Sequence, residues 1–439
     1  MRILVEAFAC QPDAGSEPGF GWHFPLEFAK RGHDVTVVTT ERWRAEIEAA
    51  VAALGSDPTP RFVFVPQRTW PLALRLGWTV GSGIQYLLWL WEAARATRLL
   101  HEERRFDVLH HVTYGSLVGG SFLWRVDDRD APALVLGPLG GGQTAPRAFS
   151  SIFGRHWREE ALRNLAVAQL WPLAWHAVIA ARRSSAVLCT NLETGRLARR
   201  MGARRVERVL DVTVPAGFAP PGPPRRGGDA RGVTVLWLGR IMPRKGLPLV
   251  VMALERVPRL LGGVLDVRLE IVGGGVNEEI EAEFREWLAG RAGSERVTLS
   301  GRVPFAEVGA AYERADIFVF PSLRDSTGNQ LLEAMAYGLP VVCLDHQGAR
   351  ELVTDAAGVR VSVTDVDGTV DGLARAIATL ASDPERRRTM GKAAQAAARA
   401  YTWDAKAEAV LRVFDAAVGS QARDGAGRET DPRGRILTP

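Results

Sequence analysis

The chain has 439 residues and carries 55 Lys and Arg against 50 Asp and Glu, a formal charge of +5. That length is too great for one ordinary hydrophobic core and predicts two α/β domains. Three isolated cysteines, Cys10, Cys189 and Cys343, exclude a disulfide framework and a cysteine zinc site. The charge excess lies in residues 1–215, with 26 Lys and Arg against 21 Asp and Glu. It is arginine spread over helical stretches with no binding motif, which excludes nucleic acid as a partner.

Met1 to Val5 reads as a first strand, and no signal peptide precedes it, so a cytoplasmic location is expected. The glycine-rich segment Ala14 to Trp22, containing Gly15, Ser16 and Glu17, leads into a helix ending near Lys30, and Asp34 to Thr39 is the second strand. These scattered glycines do not meet the G-x-G-x-x-G dinucleotide spacing. Leu76 to Trp91 has no charged residue and is too short to span a bilayer. Two readings of it stay open: a helix lying in a membrane interface beside Arg95, Arg98, Arg104 and Arg105, or a buried helix of the first domain.

Phe106 to Thr113 is a further strand with adjacent histidines at its end. One of His110 and His111 packs while the other serves the site, and His111 is the choice. Gly137 to Gly142 closes another strand with glycines that bring backbone close to a ligand. Asp128-Arg129-Asp130 and Asp365-Val366-Asp367 match the short D-x-D pattern of metal sites, but both read as solvated turns, so no metal ligand is assigned. Pro215 to Gly232 lacks an apolar period and is the expected linker.

The second half carries denser signals. Val233 to Leu238 reads as a buried parallel strand ending in Gly239-Arg240, followed by Pro243, Lys245 and Gly246. Arg240 can grip a diphosphate with a planar fork while Lys245 acts as a point charge. Ala315 to Phe320 repeats the pattern, ending in Pro321-Ser322, and Leu331 to Tyr337 is helical up to a stop at Gly338. Thr327, Gly328, Asn329 and Gln330 then form a loop entering that helix, where backbone N–H groups can hold phosphate without a metal. Asp325 in the loop and Glu333 inside the helix suit sugar and ribose hydroxyls, since a carboxylate accepts hydrogen bonds that an analogue lacking the hydroxyl cannot donate.

These residues resemble glycosyltransferase family 4, whose C-terminal half carries G-R-x4-K-G, a V-G-x-G turn and P-S-x2-E-G-F-G-x4-E-A-M-A-x-G-x-P-V-V. Here the turn is Val272 to Gly275, and the similarity runs along nearly the whole chain to about Val418. The resemblance implies the α/β GT-B fold: two Rossmann-like, doubly wound domains facing an interdomain cleft. An acceptor-binding domain over residues 1–214 would be joined by linker 215–232 to a donor domain over 233–400. Helix 401–418 would pack back on the first domain, with Trp403 as its anchor, and the polar stretch 421–439 is read as a disordered tail.

Carried over by residue, the resemblance implies that Gly239, Arg240, Lys245, Gly273 and the loop Thr327 to Gln330 hold the donor diphosphate and that Glu333 binds the ribose. Asp325 would touch the donor sugar, Gly15 and Ser16 would approach the phosphates from the first domain, and His111 would lie near the transferring sugar. Aspartate at 325 and Ser326-Thr327 replace Glu and Gly-Phe of the pattern, which implies a shifted sugar preference. The expected activity is retaining, hexosyltransferase-like transfer from a nucleotide-diphosphate sugar to a glycan, glycolipid or lipid-linked hydroxyl in cell-surface polysaccharide or glycoconjugate assembly. Such an enzyme could work at the inner membrane surface. No cofactor or metal is expected, because Arg240, Lys245 and a helix N-terminus can stabilise the leaving group. A GT-B phosphorylase, a nucleotide-sugar epimerase and a non-catalytic nucleotide-binding assembly protein are the alternatives.

Overall fold

The computed structural model of the chain describes residues 1–12, 14–67, 78–126, 131–215, 217–220, 232–304 and 307–426, with backbone alone for 16, 78–82 and 422–426. The chain divides into two compact units. The first comprises residues 1–142, 168–211 and 403 onward; the second comprises 143–167 and 212–402.

The first unit is built on a seven-stranded parallel sheet of β1 (Arg2–Ala7), β2 (Asp34–Thr40), β3 (Arg61–Val65), β4 (Val108–Thr113), β5 (Ala133–Leu139), β6 (Ala186–Cys189) and β7 (Val206–Arg208), in the order β3-β2-β1-β4-β5-β6-β7. Its central strands are near-continuous apolar runs because helices cover both faces, and Ile3, Leu4, Val5 and Ala7 of β1 are all inaccessible to solvent. Helix Ser16–Lys30 packs one face, where Phe24 and Phe28 stack on each other and Phe28 meets Phe414 of the last helix, Trp403–Ala426. Trp403 packs edge-on to Phe20 and Phe24 in the same cluster.

The second unit has a six-stranded parallel sheet of β8 (Val233–Leu238), β9 (Val267–Val272), β10 (Val297–Gly301), β11 (Ile317–Phe320), β12 (Val341–Leu344) and β13 (Gly358–Val361), in the order β10-β9-β8-β11-β12-β13. Strand order reverses between β8 and β11. Ligands of open α/β sheets bind outside the carboxyl ends of strands at such a switch point, and both conspicuous motifs follow these two strands.

Several expectations need correction. The last helix runs on to Ala426, into the stretch read as a disordered tail; residues 427–439 lie outside the described residues. Residues 143–167 group with the second unit although they fall within the first sequence span. Asp365 is the last residue of the loop after β13 and caps helix Val366–Ser382, accepting from the Gly368 N–H at 2.8 Å, so Asp367 lies in the first turn of a helix and not in a turn of the loop. The Asp128–Asp130 pattern, the segment 68–77 and most of the expected linker lie outside the described residues. Among the described residues no helix is long and apolar enough to cross a membrane.

His110 is packing rather than chemistry. It is inaccessible to solvent, lies against Phe24, Phe28 and Phe414, and donates from Nε2 to the Gly137 carbonyl at 2.7 Å. Burial pushes its pKa down to about 3. A depressed folded pKa means the unfolded chain takes up the proton first, so the stability this group contributes is present above pH 6.5 and is lost as pH falls towards 3. We expect urea unfolding to show a loss on the order of 1.4 kcal/mol per pH unit in that window, absent in His110→Gln. An unchanged slope in the variant would refute the assignment.

Candidate functional site

In the second unit the β8 and β11 loops are stitched together by backbone. The Arg244 carbonyl accepts from the N–H groups of Leu323 and Arg324 at 2.9 and 3.3 Å. Gly246 lies at φ +64°, and a Cβ there would come within 2.2 Å of the Pro321 carbonyl oxygen, so only glycine allows this approach. Gly273, at φ +133°, packs equally tightly on the Gly239 carbonyl, where a Cβ would sit 1.8 Å from the oxygen. The β8, β9 and β11 loops therefore lie side by side around the switch point.

Onto this frame the sequence places a dense set of charges. Lys245, in the 3-10 turn Pro243–Lys245, is 6% exposed. Its ammonium pairs with the Asp325 carboxylate and lies 5.4 Å from the Phe320 ring centre. Arg244 approaches the other carboxylate oxygen at 3.6 Å, and Ser322 Oγ donates to Asp325 at 3.2 Å. Burial pushes Lys245 below the usual lysine range, against the pull of Asp325. Burial would raise Asp325, but Lys245 and Arg244 outweigh it and hold the carboxyl below its ordinary value.

Asp325 thus spends its carboxylate on the lysine. Its N–H donates to Gln347 Oε1 at 2.8 Å, and Gln347 Nε2 donates to the Thr144 carbonyl at 2.9 Å.

Further charges come from helix Trp157–Leu165 of the 143–167 segment. Glu160 receives a bidentate pair from Arg324, at 2.5 and 3.0 Å. Arg163 is pushed down to about 10 by burial and by the neighbouring cations Arg324 and Arg244. Arg240 is exposed, and among the described residues no hydrogen bond or ion pair engages it. Its charge reaches Arg244 and Lys245. Five cations, Arg163, Arg240, Arg244, Lys245 and Arg324, therefore share this region with two carboxylates, Glu160 and Asp325. Such a surplus of positive charge suits an anion.

Beside the cluster, Gly328 leads into helix Asn329–Ala336. Thr327 is fully buried with its Oγ1 unpartnered, and the buried Asn329 Oδ1 also lacks a partner. Unmade hydrogen bonds of this kind are costly in a native interior and call for a ligand. Glu333, 9% exposed, accepts from the Tyr312 hydroxyl at 2.8 Å, and burial pushes its carboxyl up.

The residues read for the first unit form a separate group within that unit. Gly15 precedes and Ser16 opens helix Ser16–Lys30. Glu17 accepts from the Gly115 N–H, and burial raises its carboxyl. His111 is buried, with Nδ1 2.6 Å from Glu6 Oε2, which also accepts from Ser121 Oγ at 2.9 Å. Nε2 lies 3.5 Å from the Tyr86 hydroxyl, which donates to the Gly120 carbonyl at 3.2 Å. Sequence reading missed Glu6, Glu160, Arg163, Gln347 and Tyr312. No local pattern marks them, since each acts on a partner distant in the chain; Arg244 falls at one of the unspecified positions of G-R-x4-K-G.

Residues 227–397 match the family model described as glycosyl transferases group 1. Over this segment the chain is similar to the group 1 glycosyl transferases. It is 31% identical over 274 residues to a D-inositol 3-phosphate glycosyltransferase of Segniliparus rotundus, covering 59% of this chain and 59% of that protein. To a phosphatidyl-myo-inositol mannosyltransferase of Mycobacterium leprae it is 32% identical over 195 residues, 44% of this chain and 49% of the other. The chain thus spans about half to three-fifths of the length of these curated relatives. The fold is GT-B: the solved structure of Anabaena HepE in complex with UDP-glucose superposes with a TM-score of 0.57 at 19% identity, covering 96% of this chain and 100% of that one.

The Lys245–Asp325 pair yields a direct test. Asp325→Asn leaves a buried lysine beside two arginines, so it should lower stability by about 3 kcal/mol, while the double variant Asp325→Asn with Lys245→Met should recover part of the loss. Chemical denaturation checks both, and additive losses would show that the two side chains are not coupled.

Proposed function

We propose that this chain is a retaining glycosyltransferase moving a sugar from a nucleotide-diphosphate sugar to a hydroxyl of a glycan, glycolipid or lipid-linked acceptor, in cell-surface polysaccharide or glycoconjugate assembly at a cytoplasmic membrane surface. The observation that carries the reading is the surplus of cations at the β8–β11 switch point, next to a helix N-terminus with unpartnered buried polar atoms. A diphosphate with sugar and ribose hydroxyls answers both needs. The relatives' names support the transfer class, and the UDP-glucose in the HepE structure supports the donor class.

Breaking the anomeric C–O bond puts positive charge on the sugar and negative charge on the departing diphosphate, so catalysis comes from charge already in place at the phosphates. Arg240 and Lys245 receive that charge, with Arg244 beside them. On this reading a donor phosphate competes with Asp325 for Lys245. The backbone N–H groups entering helix Asn329–Ala336 serve the same phosphates, Gly239 and Gly273 allow the donor to approach, and Glu333 takes the ribose hydroxyls. The acceptor hydroxyl attacks from the face the diphosphate leaves, and the leaving oxygen takes the proton. With this much fixed positive charge, the leaving group needs no divalent ion.

Calorimetric titration with UDP, GDP and ADP tests the reading. We expect one nucleotide to bind saturably and Arg240→Ala to weaken it at least tenfold, about 1.4 kcal/mol. A folded wild-type protein that binds none of the three would remove the donor assignment. Binding without any transfer, across a panel of sugar conjugates and acceptors, would instead favour a nucleotide-binding assembly protein.

Thr327→Val offers an independent check, since it removes a hydroxyl that has no partner in the free protein. The variant should fold with an unchanged or higher unfolding midpoint yet bind the nucleotide sugar more weakly. A large loss of stability would show that the hydroxyl serves the fold.

A further inference from the structure

The first unit holds a cavity of about 360 Å³ lined by Trp91, Ala94, Arg95, Arg98, Trp124, Arg125 and Arg183. Among the described residues, every charged or polar side chain on that wall is a donor: four guanidinium groups and two indoles. Arg125 is held by aromatic faces, its guanidinium carbon 4.2 Å from the Trp91 ring centre and 5.6 Å from that of Trp124. Among the described residues no hydrogen bond or ion pair engages Arg125 or Arg95. Arg98 meets Glu102 at 3.3 Å in an exposed pair, which is weak. The Trp124 indole N–H is buried and, among the described residues, has no hydrogen-bond partner.

Within the first unit the cavity lies away from the carboxyl ends of the strands. Helix Trp78–Arg104 begins its described contacts near Gly120, through the Tyr86 hydroxyl, and ends where Arg104 pairs with Asp34 at the start of β2. Trp91, Arg95 and Arg98 therefore lie progressively towards the amino-terminal ends of the strands. Arg183 likewise closes the helix Trp175–Arg183 that leads into β6. Parallel sheets bind substrates at the other end.

Around the cavity the same helix exposes Leu88, Trp91 and Leu99, at 39%, 49% and 57%. Leu88, Trp91, Arg95, Arg98 and Leu99 follow helical spacing and share one face. Arginine and tryptophan set among exposed leucines is the composition of a surface seated among lipid headgroups.

We infer that this cavity is a binding site for a phosphate-bearing anion, the headgroup phosphate of an anionic membrane lipid. The inference gives a place to the membrane surface in the proposed function, but its test needs no transfer reaction. Wild type and the Arg95→Gln/Arg125→Gln variant are mixed with phosphatidylcholine vesicles, with vesicles also containing phosphatidylglycerol, and with inorganic phosphate, at low salt. Flotation and tryptophan fluorescence report binding.

The expected result is binding to the anionic vesicles alone, at least tenfold weaker in the variant, with nucleotide affinity equal in both proteins. Equal vesicle binding by the two proteins would overturn the site, as would failure of the wild type to bind. Arg125-dependent binding of inorganic phosphate without vesicle binding would overturn the lipid as its source. Loss of nucleotide binding in wild type would count against the proposed function and leave the vesicle result standing.

Discussion

The ion pair between Lys245 and Asp325 joins two loops 80 residues apart in sequence and does so out of water. Neither charge could be buried alone: desolvation costs several kcal/mol per ion, and only a close partner offsets it. Their positions are set by β8 and β11 lying next to each other at the strand-order reversal, and by Gly246 packing without a side chain against Pro321. Once the pair forms, Arg244, Ser322 and Gln347 have fixed partners, and the surrounding positive charge is held rather than dispersed.

The same pair bears on the departure from the family pattern. A carboxylate at 325 that was one methylene longer would reach further from its loop, whereas the aspartate here is engaged by Lys245, Arg244 and Ser322. Unmet hydrogen-bonding capacity lies instead at Thr327 and Asn329. On the proposed function, donor selection would then rest on a neutral hydroxyl and amide more than on the first carboxylate, in keeping with the altered loop sequence.

Much of this was legible in the sequence. The apolar runs Val233 to Leu238 and Ala315 to Phe320, each followed by a glycine- or proline-marked loop, foretold two neighbouring strand ends and the residues they present. The helix after Gly328 begins and stops within two residues of where its formers and Gly338 place it. What could not be read was partnership. Glu160 meets Arg324 across 164 positions and Glu6 meets His111 across 105, and no period or motif encodes such distances. The choice between His110 and His111 needed side-chain surroundings: adjacent residues on a strand point to opposite faces, one into phenylalanines and the other into a carboxylate. The tail was misjudged for a different reason, because composition alone does not say where a helix with buried residues such as Ala417 ceases to extend.

The discontinuous make-up of the two units governs how the protein is made. The ribosome delivers residues 143–167 long before the rest of their unit, and the first unit lacks Phe414 and its neighbours until the last helix emerges. Neither unit can therefore mature in the simple amino-to-carboxyl order open to chains whose domains follow one another. The nascent amino-terminal sheet must wait with the Phe24–Phe28 surface uncovered, a hydrophobic face that invites chaperone binding during synthesis. For the same reason a proteolytic cut before Trp403 would strip a finished core of one wall rather than trim an appendage.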